Sequence, residues 1–370
     1  MFFLALSAFS LLVTRCLAEN SILGTFHRRS YFYVGQSYVP QGNSSIAFGQ
    51  MYVEHLVPSV VSQPFPLLFI HGRGMTGTNF LNTPDGRLGW ADYFLSKGYE
   101  VYIVDQPSRG RSAWQQNIDD PQVTLDTLAV ESRFTAVERF NLWPQASLHT
   151  KWPGNGSVGD PIFDEFFAST MPSINSDVAT SVRIKAAGPL VLDKINRPVI
   201  LVTHSQSGQQ GWILGDSRPS LVKAIVALEP TGPPFSNVLF PPFDNVRPFG
   251  ITEIPVAYSP ALNSATDLQK VVVSSNPALN FTCFKQASPP RTLTNLSKLP
   301  VLVVTSESSY HAVYDSCTVD YLKQAGVSVE HINLGDVGIH GNGHMMFLEL
   351  NSLQIAETIV EKWISKISRK

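Results

Sequence analysis

A chain of 370 residues with 44% hydrophobic and 11% aromatic content has material for one large core, the size of a single enzyme domain carrying insertions. Its formal net charge of -2 gives no electrostatic basis for binding nucleic acid or an anionic membrane, which argues against a polyanionic substrate.

The chain opens MFFLALSAFSLLVTRCLAENS. Phe2 to Val13 is an apolar run too short to span a bilayer, and Cys16-Leu17-Ala18 offers small residues where a signal peptidase reads. The expectation is a signal peptide over residues 1–18. Residues 19–370 then form a single secreted domain with no stable membrane anchor. Because no basic residue precedes the apolar run, a buried or membrane-anchoring N-terminal segment is the alternative. Sequons at Asn43, Asn155, Asn280 and Asn295 agree with export and are candidate glycosylation sites. Loss of Cys16 leaves Cys283 and Cys317, which could form one disulfide in an oxidising compartment or remain two buried thiols.

YFYVGQSYV and IAFGQMYVEHLV read as two strands joined by a turn at Gln41-Gly42-Asn43. After them come PLLFIHG, YEVYIVD, PVILVTH, AIVALEP and PVLVVTSE, short and continuously apolar runs of the kind buried on both faces of a sheet. Helix-like segments such as RLGWADYFLSKG, VATSVRIKAAGPLVLDKI and the terminal LQIAETIVEKWISKI separate them. The alternation predicts an α/β fold, a mostly parallel sheet with helices on both faces and an antiparallel start. Two connections, at about 113–196 and 231–298, are too long for simple crossovers. Rich in Phe, Trp and Pro, they read as cap-like insertions over a site, or as surface elaboration with small cores of their own.

In RPVILVTHSQSGQQGW a strand runs into a tight turn and restarts as a helix. A serine nucleophile needs such a turn, with small residues two positions to either side so that it can close. Centring on Ser205 puts Thr203 and Ser207 at those positions, whereas centring on Ser207 puts Gln209 where a small residue is required. Ser205 is therefore the better candidate, although neither flank is the usual glycine. Oxyanion donors belong at the end of an earlier strand, and His71-Gly72-Arg73-Gly74 supplies exposed amides there. The N–H groups of Arg73 and Gln206 are the expected pair, with Gly74 as the alternative first donor.

A base is expected after the last strand, where IHGNGHMMF holds His340 and His344. His344 is favoured, with flanking glycines that let it swing toward the turn. A zinc pair is disfavoured, because Gly341 and Gly343 break the helix that a His-x3-His site needs. For the acid, Glu229 closes the run AIVALEP, and a carboxylate at a buried strand end needs a partner. Glu307, in a serine-rich turn, is the alternative.

At these residues the chain resembles the α/β-hydrolase superfamily, and VDQPSRGRS, after the strand ending at Asp105, looks like the turn that superfamily carries there. More narrowly it resembles exported serine esterases whose triad acid is a Glu after the sixth strand. HGRGMTGTNF, KWPGNGSVGDPIFDEFFAS, THSQSG, ALEP and GNGHMMFLELN carry that likeness. The resemblance implies hydrolysis of a carboxylic ester or lactone of a small, rather apolar substrate through an acyl-enzyme. Ser205, Glu229 and His344 would form the triad, with neither cofactor nor metal. Lipase, lactonase, thioesterase, hydroxynitrile lyase and a tailoring enzyme for a secondary metabolite share this framework. The reading from a different class is a catalytically silent binding module built on the same fold.

Overall fold

The computed structural model describes residues 24–244 and 246–369, so the expected signal peptide lies outside the described residues. Eight strands form the central sheet: β1 (His27–Val34), β2 (Met51–Pro58), β3 (Leu67–Ile70), β4 (Val101–Asp105), β5 (Val199–His204), β6 (Val222–Leu228), β7 (Pro300–Thr305) and β8 (Ser328–Asn333). Their spatial order is β1-β2-β4-β3-β5-β6-β7-β8. The first two pairings, β1 with β2 and β2 with β4, are antiparallel, and every later one is parallel.

Residue character accounts for this arrangement. The four residues of β3 are all buried, and Leu67 and Phe69 enter one core cluster while Leu68 and Ile70 enter the other. A strand apolar on both faces is stable only between two covering layers. Helix α1 (Trp90–Ser96) supplies Trp90 and Phe94 to the first layer, together with Met345 to Leu348 and Trp363. Helices α2 (Asp177–Ile195) and α3 (Ser207–Ser217) supply Ile184, Val191, Trp212 and Leu214 to the second. Helix α4 (Asp315–Gln324) joins that second layer through Val319, Tyr321 and Leu322.

Two details differ from the sequence expectations. The predicted pair of N-terminal strands is broken at Gly35 and Gly49, both at positive φ, so that a small hairpin, Ser37–Gln41 with Ser44–Phe48, projects from the β1–β2 connection. The insertion expected over about 113–196 ends before Asp177, because α2 packs on the sheet as a covering helix. In the second connection, a hairpin of Lys270–Asn276 with Phe281–Gln286 carries Cys283, which forms a disulfide with Cys317 of α4 (S–S 2.03 Å). No helix among the described residues is long and apolar enough to cross a membrane.

Candidate active site

The turn after β5 places Ser205 at φ 55°, a conformation that disfavours any side chain. Such strain persists only where neighbours hold it. Here the Ser205 N–H donates to the Leu228 carbonyl (3.0 Å), and the Ser205 carbonyl accepts from the N–H groups of Gly208 (2.8 Å) and Thr231 (3.0 Å). A Cβ at Gly208 would stand 2.4 Å from Pro230 Cβ, so the glycine that this turn requires lies three residues past the serine. The competing Ser207 is buried, accepts from the His204 N–H (2.7 Å) and donates to the Ile70 carbonyl (2.6 Å). Its hydroxyl braces the turn from inside.

Glu229 leaves the end of β6 at φ 47° and is fully buried. Its Oε1 accepts from the Ser306 N–H (2.7 Å), and its Oε2 accepts from Ser309 Oγ (2.7 Å) and His344 Nδ1 (2.5 Å). Burial pushes the Glu229 carboxyl up and the His344 imidazole down, the latter also because His311 lies beside it. Against burial, the three donors on Glu229 favour its carboxylate form. A neutral His344 that donates through Nδ1 leaves its Nε2 unprotonated, as the nitrogen that can accept a proton. Glu307 and His340 pair with each other instead (2.9 Å), where His340 is largely exposed.

Gly72 crosses directly over the turn: a Cβ there would stand 3.0 Å from His204 Nδ1 and 3.2 Å from Ser205 Cβ. Its carbonyl accepts from Arg109 Nη1 (2.8 Å) and His71 Nδ1 (2.9 Å). In a trans peptide the Arg73 N–H points the opposite way. Neither the Arg73 nor the Gln206 N–H donates to a protein acceptor among the described residues, whereas the Gly74 N–H is taken by Ser173 Oγ (2.8 Å). The Arg73 and Gln206 side chains both reach Asp177 Oδ1, from Gln206 Nε2 at 2.9 Å, and Arg109 Nη2 donates to Gln206 Oε1 (3.3 Å). Asp105 fixes the loops behind them, accepting from the N–H groups of Gly77 and Arg111 (2.9 Å each).

Ser205 and His344 open into a cavity of about 520 Å³. Met75, Leu125, Phe134, Val238, Phe240 and Val246 give it apolar walls, drawn mainly from the two long connections. These connections meet where Trp143 packs with Phe240 and Tyr310. The Tyr310 hydroxyl lies 3.3 Å from His344 Nε2. Glu229, His311 and His344 have ligand atoms within 4.8 Å of one another, a spacing that could suit a metal. Yet His311 is already committed to Asp315 (2.9 Å) and Tyr314 (2.9 Å), and His344 Nδ1 to Glu229. A hydroxyl on a strained turn beside a carboxylate-bound imidazole can generate an oxygen nucleophile.

A model of the alpha/beta hydrolase family matches residues 67–358. The chain belongs to this family. The hydrolase is 49% identical over 339 residues, 91% of its length and 89% of the relative's, to a protein named "Probable secreted lipase phiG" from a fungal species (strain ATCC 74256). It is also similar in fold to a structure described as a novel bacterial esterase, with a TM-score of 0.61 at 22% identity, covering 94% of this chain and 98% of that one.

Sequence reasoning missed several residues that shape the hydrolase's site: Arg109, Arg133, Asp177, Ser309, Tyr310 and His311. The dense polar and aromatic run Ser308-Ser309-Tyr310-His311, just past an apolar strand, was the available signal for three of them. Among the sequons, Asn43, Asn155 and Asn280 are exposed. Asn295 differs: its Nδ2, the atom that a glycan would occupy, donates to the Asp216 carbonyl (3.1 Å) and side chain (3.0 Å).

Proposed function

We propose that the protein is a secreted serine hydrolase that cleaves a carboxylic ester or lactone of a small, rather apolar substrate through an acyl-enzyme. The observation that carries this reading is the 2.5 Å bond from His344 Nδ1 to Glu229 in the cavity that Ser205 lines from its strained turn. The name of the fungal relative supports both export and ester chemistry. In this reading His344 Nε2 takes the Ser205 proton as Oγ bonds to the carbonyl carbon. The Arg73 and Gln206 N–H groups receive the oxyanion, a type of donor whose loss costs about 10²–10³ in turnover. His344 returns the proton to the departing alkoxide, then takes one from water as the water attacks the acyl carbonyl and gives it to Ser205 Oγ as the Oγ–carbon bond breaks. Glu229 holds the imidazole in the donating tautomer and stabilises its cation. The apolar walls favour apolar substituents. Export also brings glycosylation at Asn43, Asn155 and Asn280 within this proposal.

The test is intact-mass analysis after fluorophosphonate treatment of wild type and Ser205→Ala, beside turnover of a p-nitrophenyl ester series. One adduct on wild type, none on the variant, and ester turnover are expected. A folded wild type that neither labels nor turns over would instead make the fold a binding module.

A further inference from the structure

Among the described residues, the cavity holds one cation without a carboxylate or hydrogen-bond partner. Arg73 is bound to Asp177, and Glu253 accepts the Arg247 N–H (2.9 Å) while the Arg247 guanidinium lies against Pro233, Ser236 and Asn237. Arg109 is buried behind the Gly72 loop on the Gly72 carbonyl and Gln206. Arg133 differs from all of these. It lines the cavity beside Phe134, is half-buried, and has neither a carboxylate within salt-bridge reach nor a hydrogen-bond acceptor among the described residues. Its guanidinium carbon sits 4.0 Å from the centre of the Phe240 ring.

A guanidinium carries five N–H donors in a fixed planar fork. Stacking over an aromatic ring stabilises the charge through the π-face and uses none of them. Half-buried donors without acceptors are costly unless a ligand or water takes them. The site is also near the chemistry, since Phe240 packs on Tyr310 (ring centres 5.5 Å) and Tyr310 touches His344.

We propose that Arg133 binds an anionic group of the substrate, so that the preferred ester carries a carboxylate on its acyl or alcohol portion. This proposal rests on the ester-hydrolase reading and names the substrate class of that site. The Phe240 stack fixes the guanidinium at the cavity wall, and a carboxylate reaching it engages the free fork with two N–H donors. The apolar walls take the chain between that group and the scissile carbonyl.

The experiment compares kcat/KM for matched esters: p-nitrophenyl hemiglutarate against p-nitrophenyl valerate, and 4-carboxyphenyl valerate against phenyl valerate. In Arg133→Met the charged-to-neutral ratio is expected to fall about 10- to 100-fold for at least one pair, the range for a hydrogen bond to a charged group. Arg133→Lys is expected to retain part of the ratio. In wild type, added salt is expected to slow the charged ester of that pair more than its neutral partner, a readout that needs no variant. Ratios that stay within about twofold of wild type for both pairs, including a parallel loss on all four esters from an unclasped Phe240, would overturn the proposal. So would identical salt dependence within both pairs. Fluorophosphonate labelling and neutral-ester turnover separate these failures from failure of the ester-hydrolase reading, which would take this proposal down with it.

Discussion

His204 Nε2 donates a 3.0 Å hydrogen bond to the backbone carbonyl of His344, joining the residue before Ser205 to the loop that carries the imidazole. His204 is buried and held neutral, chiefly by desolvation and by the neighbouring His344. Replacement by Phe keeps the ring volume and removes the donor. We expect His204→Phe to lower kcat about 5- to 10-fold with KM nearly unchanged, the cost of a neutral hydrogen bond that orients the proposed base. Steady-state kinetics checks this, and a change confined to KM would contradict it.

The Glu229 and Glu307 carboxylates give a sharp contrast. Glu229→Gln leaves the volume but places an amide against His344 Nδ1, where its N–H group can enforce the wrong imidazole tautomer. In the proposed triad, turnover should fall about 10³–10⁴-fold. Glu307→Gln disturbs an exposed histidine and one loop N–H, so its kcat should stay within about twofold of wild type. Equal losses in the two variants would remove Glu229 from its proposed role.

The contrast also marks what the sequence could reveal. Ser205, Glu229 and the Gly72 loop each follow an unbroken apolar run, so buried strands announce where their side chains emerge. Strand polarity then brings those ends to one edge of the sheet. Arg133 and Asp177 lie in the long connection between β4 and β5, and their approach to Gln206 and Phe240 is set by packing across distant segments. No local pattern encodes that approach. Asn295 makes the same point, for a sequon spans three residues and cannot register Asp216, 79 positions away.

Arg109 is a buried guanidinium that holds both expected oxyanion donors from behind, through the Gly72 carbonyl and the Gln206 side chain. Arg109→Met preserves the length of the stem and loses both hydrogen bonds. We expect kcat/KM to fall about 10- to 100-fold. Affinity for a boronic acid that forms a tetrahedral adduct should fall in parallel, while KM changes little, because the lost interaction acts on the tetrahedral state. Weakened substrate binding with unchanged boronate affinity would contradict this role.

His149 is buried between two carboxylates, with Nδ1 3.1 Å from Glu138 and Nε2 2.9 Å from Glu349. Burial opposes its charge, but the hydrogen bonds to Glu138 and Glu349 outweigh burial and raise its pKa from 6.5 to about 9. The folded state therefore holds this proton more tightly than the unfolded chain does. The resulting stabilisation is whole below pH 6.5 and is lost as pH rises through about 9. Its size is about 3–4 kcal/mol, since each tenfold gain in proton affinity contributes roughly 1.4 kcal/mol. Glu349 also accepts the Gly343 N–H (2.9 Å), so the same cluster steadies the chain entering His344. Urea unfolding of wild type between pH 6 and pH 10 should show this decline, and His149→Gln should flatten it while lowering stability at the acid end. Equal pH dependence in the two proteins would mean that His149 carries no proton in the folded state beyond what it holds when unfolded.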